Sequence, residues 1–195
     1  MTKKLILASA SPRRREILDT AGYSYEVIPS NADEFKDGYA PAELVRLNAL
    51  AKAREVCSRV DANCVVIGAD TVVCLGDDIL GKPKDEKEAF DMLKSLSGKA
   101  HYVVTGYAVV GLSGEKSDFC STEVKFKALT DEEIYAYIAT KEPMDKAGSY
   151  GVQERACLFV ESFKGDYFNI IGLPITQIYS ILKEYGIVPD WQKRI

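Results

Sequence analysis

Arg13, Arg14 and Arg15 follow an apolar run and a hydroxyl–proline turn in the stretch LILASASPRRREIL, residues 5–18. A helix starting at Pro12 places Arg13 and Arg14 in its first turn. There the positive end of the helix dipole disfavours cations, while free N–H groups attract anions. Local helix physics does not explain the pair; a phosphate held by N–H groups and guanidiniums would. The alternative is a pair of solvated surface cations. Arg15 has an i,i+4 partner in Asp19 and reads as solvated.

The second anomaly is VVIGADTVV, residues 65–73. Strands disfavour Asp, and a buried carboxylate costs several kcal/mol unless it is paired or metal-bound. Asp70 therefore reads as a metal ligand or general base rather than a structural residue, with Thr71 as a plain β-former beside it. Gly68-Ala69 signals a bulge or a close backbone approach. Gly76-Asp77-Asp78-Ile79-Leu80-Gly81-Lys82 matches the start of a phosphate-binding G-x-x-x-x-G-K loop. Pro83, however, stands where that loop needs a magnesium-binding hydroxyl, so Gly-Asp-Asp is a hairpin turn. Lys82, held between Gly81 and Pro83, remains a point charge able to meet phosphate. In Asp145–Gln153 two glycines permit close approach of a ligand, and the Gln153 amide offers both a donor and an acceptor to a base edge. Without other support this segment is equally an ordered loop.

Other chemistry is excluded. His101 is the only histidine and falls in an expected strand, so it reads as structural, and no G-x-S-x-G elbow is present. Cys57, Cys64, Cys74, Cys120 and Cys157 are odd in number and never form C-x-x-C, which speaks against a disulfide framework or a zinc site. A net charge of −4 lacks the basic footprint of a nucleic-acid binder, although a local cation cluster can still take a small anion. No apolar run nears the ~20 residues of a membrane span, and the first is too short for a signal peptide. The expectation is a cytoplasmic protein with no membrane or nucleic-acid polymer as partner.

At 195 residues and 47% hydrophobic, the chain is sized for a single domain over 1–195, with room for two lobes. Leu5–Ala8 reads as a buried strand, residues 12–19 as a helix capped by Ser11 and ended by Gly22, and Tyr23–Pro29 as a second strand. A polar loop follows over 30–39. Residues 42–60 form a helix with Leu44, Leu47 and Ala51 on one face. Cys64–Leu75 is a strand, residues 85–96 a helix with Phe90 and Leu93 inward, and 101–112 with 117–128 a long hairpin. Thr130 opens a capping box for a helix to about Thr140. Ala156–Val160 and Tyr167–Ile171 read as short strands, and 174–185 as a closing helix. The fold class is α/β with a mixed sheet and flanking helices, and no linker divides it.

Together, S-x-S-P-R-R at 9–14, G-A-D-T at 68–71, G-K-P at 81–83 and D-K-A-G-x-Y-G-x-Q at 145–153 resemble the Maf family of nucleoside triphosphate pyrophosphatases over essentially the whole chain. The resemblance implies a twisted mixed sheet in two lobes around a central cleft, related to the inosine triphosphatases. It implies hydrolysis of a nucleoside triphosphate to monophosphate and pyrophosphate with a divalent cation, Mg²⁺ or Mn²⁺. The family's catalytic aspartate falls on Asp70. The specificity positions of the subgroup acting on dTTP and UTP fall on Arg13, Thr71 and Gln153, and all three types match. Glu34 is the candidate second metal-binding carboxylate beside Asp70. Ser9, Arg13, Arg14, Lys52 and Lys82 are the remaining substrate-binding candidates. Glu154 departs from the family pattern, where small residues are common. Alternatives are a non-catalytic nucleotide-binding regulator of cell division, and a pyrophosphatase for 7-methyl-GTP or other modified nucleotides. The central hairpin offers an edge for a homodimer, which the sequence does not decide.

Overall fold

A computed structural model describes residues 3–36 and 38–193. Seven strands form one mixed sheet: β1 (Lys4–Leu7), β2 (Glu26–Val27), β3 (Cys64–Leu75), β4 (Asp78–Leu80), β5 (Ala100–Gly111), β6 (Gly114–Phe126) and β7 (Val160–Lys164). Their order is β2-β1-β3-β5-β6-β7, with β4 pairing β3. β1 runs parallel to both β2 and β3, while β4 is antiparallel to β3 and β7 to β6. The helices are α1 (Pro12–Ala21), α2 (Pro41–Cys57), α3 (Glu86–Leu96), α4 (Asp131–Ala139), α5 (Tyr167–Ile171) and α6 (Ile175–Glu184).

The chain resolves into two compact units. One gathers the described residues up to Asp70, Thr105–Cys120 and those from Gly172 on; the other holds Thr71–Val104 and Ser121–Ile171. Three of the four crossings, at 70/71, 104/105 and 120/121, fall inside β3, β5 and β6. A boundary drawn in mid-strand carries no Pro-, Gly- or Ser-rich linker, which is why composition shows none.

In the first unit α2 is laid directly on the sheet. A Cβ on Gly68 would stand 2.1 Å from the Ala49 carbonyl oxygen, and one on Gly106 would stand 2.2 Å from that of Val45. The helix face that approaches so closely is built of Val45, Ala49, Ala53 and Val56, all fully buried. The expected face of Leu44, Leu47 and Ala51 is corrected accordingly: Leu47 and Ala51 are only half-buried. Ile6, Ala8, Val66, Ala108 and Val110 complete this core.

The second unit packs α3 and α4 around Leu93, Leu96, Phe126, Ile134, Ile138 and Phe159. α4 opens with the expected capping box, Thr130 Oγ1 accepting from the Glu133 N–H while Glu133 accepts from the Thr130 N–H. His101 lies wholly inside, its Nε2 2.7 Å from Tyr150 Oη and its ring edge-on to Phe126, the structural role expected of it.

Several local expectations are corrected. Ser11 precedes α1 but its hydroxyl makes no cap bond, and Gly22 ends the helix at φ 78°. The strand expected over Tyr23–Pro29 pairs only at Glu26–Val27. Residues 155–158 form a 3-10 turn before β7. Tyr167–Ile171 is a helix because the Asp166 carboxylate accepts the Phe168 and Asn169 N–H groups at 2.7 and 3.3 Å, a cap that overrides β-forming residues.

Gly68→Ala should cost at least about 2 kcal/mol by overpacking, while Gly81→Ala, whose Cβ would meet nothing within 4 Å, should be tolerated; urea unfolding compares them. Burial pushes the His101 imidazole down to about 4, a backbone hydrogen bond at Lys99 opposing. Between the unfolded value near 6.5 and about 4 the unfolded chain holds more protons, so stability is lost as the pH is lowered through that window and levels below it. The gap corresponds to roughly 3 kcal/mol. His101→Gln should remove this pH-dependent component, read as the difference in unfolding free energy at pH 7 and pH 4.

Candidate active site

Asp70 sits two residues after Gly68 on β3, so both project to the same face of the strand. That face is covered by α2, and the close approach at Gly68 brings two side chains of α2 within reach. Lys52 Nζ lies 2.7 Å from Asp70 Oδ1, and Asn48 Nδ2 donates to Asp70 Oδ2 at 3.0 Å. The same ammonium reaches Glu34 Oε1 at 2.6 Å. Two carboxylates, one from a strand and one from the loop over residues 28–36, thus converge on a single cation. Asp70 and Lys52 are largely buried, with side-chain exposures of 16% and 14%, while Glu34 is half-exposed. The burial of a charged residue inside a β run is offset by these partners, which the protein supplies without any ligand.

Arg14 fixes the neighbouring backbone. Its Nε donates to Gly172 O at 2.8 Å, and its Nη1 to Ser9 Oγ at 3.0 Å and Ala69 O at 2.9 Å. It thereby ties the turn after β1 and the residue before Asp70 to the segment leading into α6. Burial lowers its pKa from the ordinary arginine value, with the Asp70 carboxylate the first opposing influence. Ser9 is buried, and its Oγ also accepts the Ser11 N–H at 3.3 Å. Arg13 is half-buried in the first turn of α1. The first unit therefore brings together Ser9, Arg14, Glu34, Lys52 and Asp70, with Arg13 on the same turn.

Thr71, Lys82 and Gln153 belong to the second unit. Gly76-Asp77 is the hairpin turn from β3 into β4. Lys82 is exposed just beyond β4, where the Gly148 N–H donates to Gly81 O at 3.0 Å. The G-K-P turn and the D-K-A-G loop are thus adjacent, and Gln153 is exposed on the latter. Lys146 of that loop is buried and satisfied: its Nζ reaches Glu142 O at 2.6 Å, Asp145 Oδ1 at 2.8 Å and Glu154 Oε2 at 2.9 Å. Glu154 accordingly acts as a partner of Lys146.

Sequence reasoning missed Asn48 and the Lys146–Glu154 pair. Asn48 was legible as a polar residue one turn before Lys52 on a helix otherwise rich in Ala, Leu and Val. The side chains present fit a divalent cation in one way only. No group of three or more His, Cys, Asp or Glu gathers among the described residues, so a cage made wholly of protein is not formed. Two convergent carboxylates do suit Mg²⁺ or Mn²⁺, which take one or two carboxylates and complete their shell with water and substrate phosphate.

Lys52→Met would leave the Asp70 and Glu34 carboxylates facing each other without a cation. A stability loss of about 1–3 kcal/mol is expected, measured by denaturant unfolding; an unchanged midpoint would show that the pair contributes nothing.

The chain is also similar to known proteins. The chain is 53% identical over 182 residues to the dTTP/UTP pyrophosphatase of Thermococcus gammatolerans, covering 93% of this chain and 96% of the relative. The dTTP/UTP pyrophosphatase of Alkaliphilus oremlandii is 50% identical over 186 residues, at 94% and 96% coverage, and that of Bacillus pumilus 48% over 187, at 95% and 98%. Among solved structures, a HAM1 protein from Coxiella burnetii shares the fold at a TM-score of 0.51 and 14% identity, covering 93% of this chain and 99% of that one. The family model for Maf-like protein matches residues 4–185, and the chain belongs to that family.

Proposed function

We propose that this chain hydrolyses dTTP and UTP to the monophosphate and pyrophosphate with the help of Mg²⁺ or Mn²⁺. The observation that carries the reading is the convergence of Asp70 and Glu34 on one cation position beside the arginine-bearing turn of α1. The activity named for relatives of about 50% identity over nearly their whole lengths supports it. The nucleotide is the only partner the reading requires. No helix among the described residues is long and apolar enough to cross a membrane, and the place of action is the cytoplasmic nucleotide pool.

Aspartate, with a pKa near 3.9, does not usefully deprotonate bulk water at 15.7; the gap of about 12 units is roughly 16 kcal/mol. Asp70 therefore orients the attacking water. Asp70 and Glu34 are the residues that would hold the divalent ion, which when bound lowers the pKa of water and offsets phosphate charge. Arg13, Lys52 and Lys82 bind the triphosphate and stabilise charge on the departing pyrophosphate. Arg14 adds its positive field while fixing Ser9 and Ala69. Water attacks the α-phosphorus, the α–β phosphoanhydride bond breaks, and pyrophosphate leaves. Thr71 and Gln153 read the pyrimidine.

The test is a nucleotide panel with Mg²⁺ or Mn²⁺, products separated by chromatography, with Asp70→Asn alongside. Monophosphate plus pyrophosphate from dTTP and UTP is expected, lost by at least about 10³-fold in the variant and abolished by chelation. Near-normal turnover by Asp70→Asn would overturn the role of Asp70. Diphosphate plus phosphate would move the cleavage to the γ-position. Comparable turnover of GTP or 7-methyl-GTP would refute the pyrimidine preference, and nucleotide binding without products would favour a regulator.

A further inference from the structure

Asn48 is buried in α2, whose other buried residues are Ala, Val and Leu. Asparagine is a weak helix former, and a buried amide is costly unless its donors and acceptor are matched. All are matched here. Oδ1 accepts the Phe35 N–H at 2.8 Å, while Nδ2 donates to Phe35 O at 3.1 Å and to Asp70 Oδ2 at 3.0 Å. The orientation of the amide is unambiguous, because the N–H needs an acceptor and the carboxylate a donor. Asn48 thus brackets both backbone groups of Phe35, as a neighbouring strand would, in a loop with no ladder of its own.

The same stripe of α2 holds the rest of that loop. Lys52, one turn on, takes Glu34. Glu55 accepts from Ser30 Oγ at 2.9 Å and from the Asn31 N–H at 3.0 Å. Just past the helix end, Arg59 donates to Pro29 O at 3.0 Å. Positions 48, 52, 55 and 59 follow the i, i+4, i+7, i+11 spacing of one helix face. Within this row Asn48 alone contacts both the loop backbone and the strand carboxylate.

We infer that Asn48 is a positioning residue that couples the seating of the Glu34 loop to the orientation of Asp70. The Asp70 carboxylate plane is set from both oxygens by α2 residues one helical turn apart, and the second carboxylate is brought to the same lysine by the loop that Asn48 grips. This rests on the reading of Asp70 as the group that orients the attacking water. Asn48 acts on turnover through Asp70 and has no part in nucleotide affinity.

Two variants separate its two grips. Asn48→Leu removes every hydrogen bond at similar volume. Asn48→Asp keeps an acceptor for the Phe35 N–H but replaces the amide donor with a second carboxyl facing Asp70 and the Phe35 carbonyl. Steady-state kinetics with UTP are measured beside thermal unfolding and hydrogen exchange at the Phe35 amide. In both variants kcat should fall about 10–100-fold, the range for groups that orient a functional ligand, while KM stays within about threefold. The Phe35 amide should be protected in wild type and in Asn48→Asp and exchange freely in Asn48→Leu. Wild-type turnover with kcat unchanged in the variants overturns this proposal alone, as does a rise in KM with kcat kept. If a variant fails to fold, free exchange at Phe35 in the wild type overturns it. A wild-type protein that releases no pyrophosphate from any nucleotide overturns the functional reading, and the proposal with it.

Discussion

The contact between α2 and the strands beneath it sets the geometry of everything near Asp70. Backbone meets backbone at Gly68 and Gly106, where any side chain would collide with a carbonyl of the helix. The helix answers with Val45, Ala49, Ala53 and Val56, the smaller residues of its sequence. Across this contact Lys52 and Asn48, one turn apart on α2, each meet one oxygen of Asp70. The approach at Gly68 thus fixes the reach of the site as well as the packing of the unit, and a residue two positions along the same strand face inherits that precision.

Electrostatics follow from this placement. Asp70 is largely buried inside a β run, and the chain sets an ammonium and an amide against it, with the Arg14 guanidinium near. Lys52 is shared with Glu34, so by formal charge two carboxylates and one ammonium carry one net negative charge. That group is anionic as a whole, whereas the first turn of α1 carries the guanidiniums of Arg13 and Arg14. Arg14 contributes through structure: three backbone or hydroxyl oxygens from separate segments are bound by one planar fork, the geometry that distinguishes arginine from lysine.

Much of this was legible in residue types. The strand–turn–helix with misplaced arginines, the aspartate in a β run, the glycines before it and the Thr130 capping box each announced a local conflict or a local solution. What escaped were features decided by tertiary distance. Periodicity on α2 pointed to its leucines, because hydrophobicity scales reward size, whereas the strands demanded small residues. Tyr167–Ile171 carried β-forming side chains, but one preceding carboxylate closed a helical turn. Tyr23–Pro29 had strand composition yet found a partner over only two residues. Asn48 stood out as a polar residue, but its role was not legible, because its partners, a loop backbone and a strand carboxylate 22 residues away, are not written in the helix that bears it.

The lysines show how partners separate structural charge from charge available to a ligand. Lys146 stands in the glycine-bearing D-K-A-G motif. Yet it is buried, its Nζ donating to the Glu142 carbonyl and the Asp145 carboxylate with Glu154 Oε2 2.9 Å away, and a phosphate would have to displace these groups. Lys82, on an adjacent turn, is exposed and makes no ion pair among the described residues. Pro83 fixes the backbone beside it, while the four-carbon stem of the lysine stays flexible. Glu154 belongs to the first arrangement, as an ion-pair partner of Lys146.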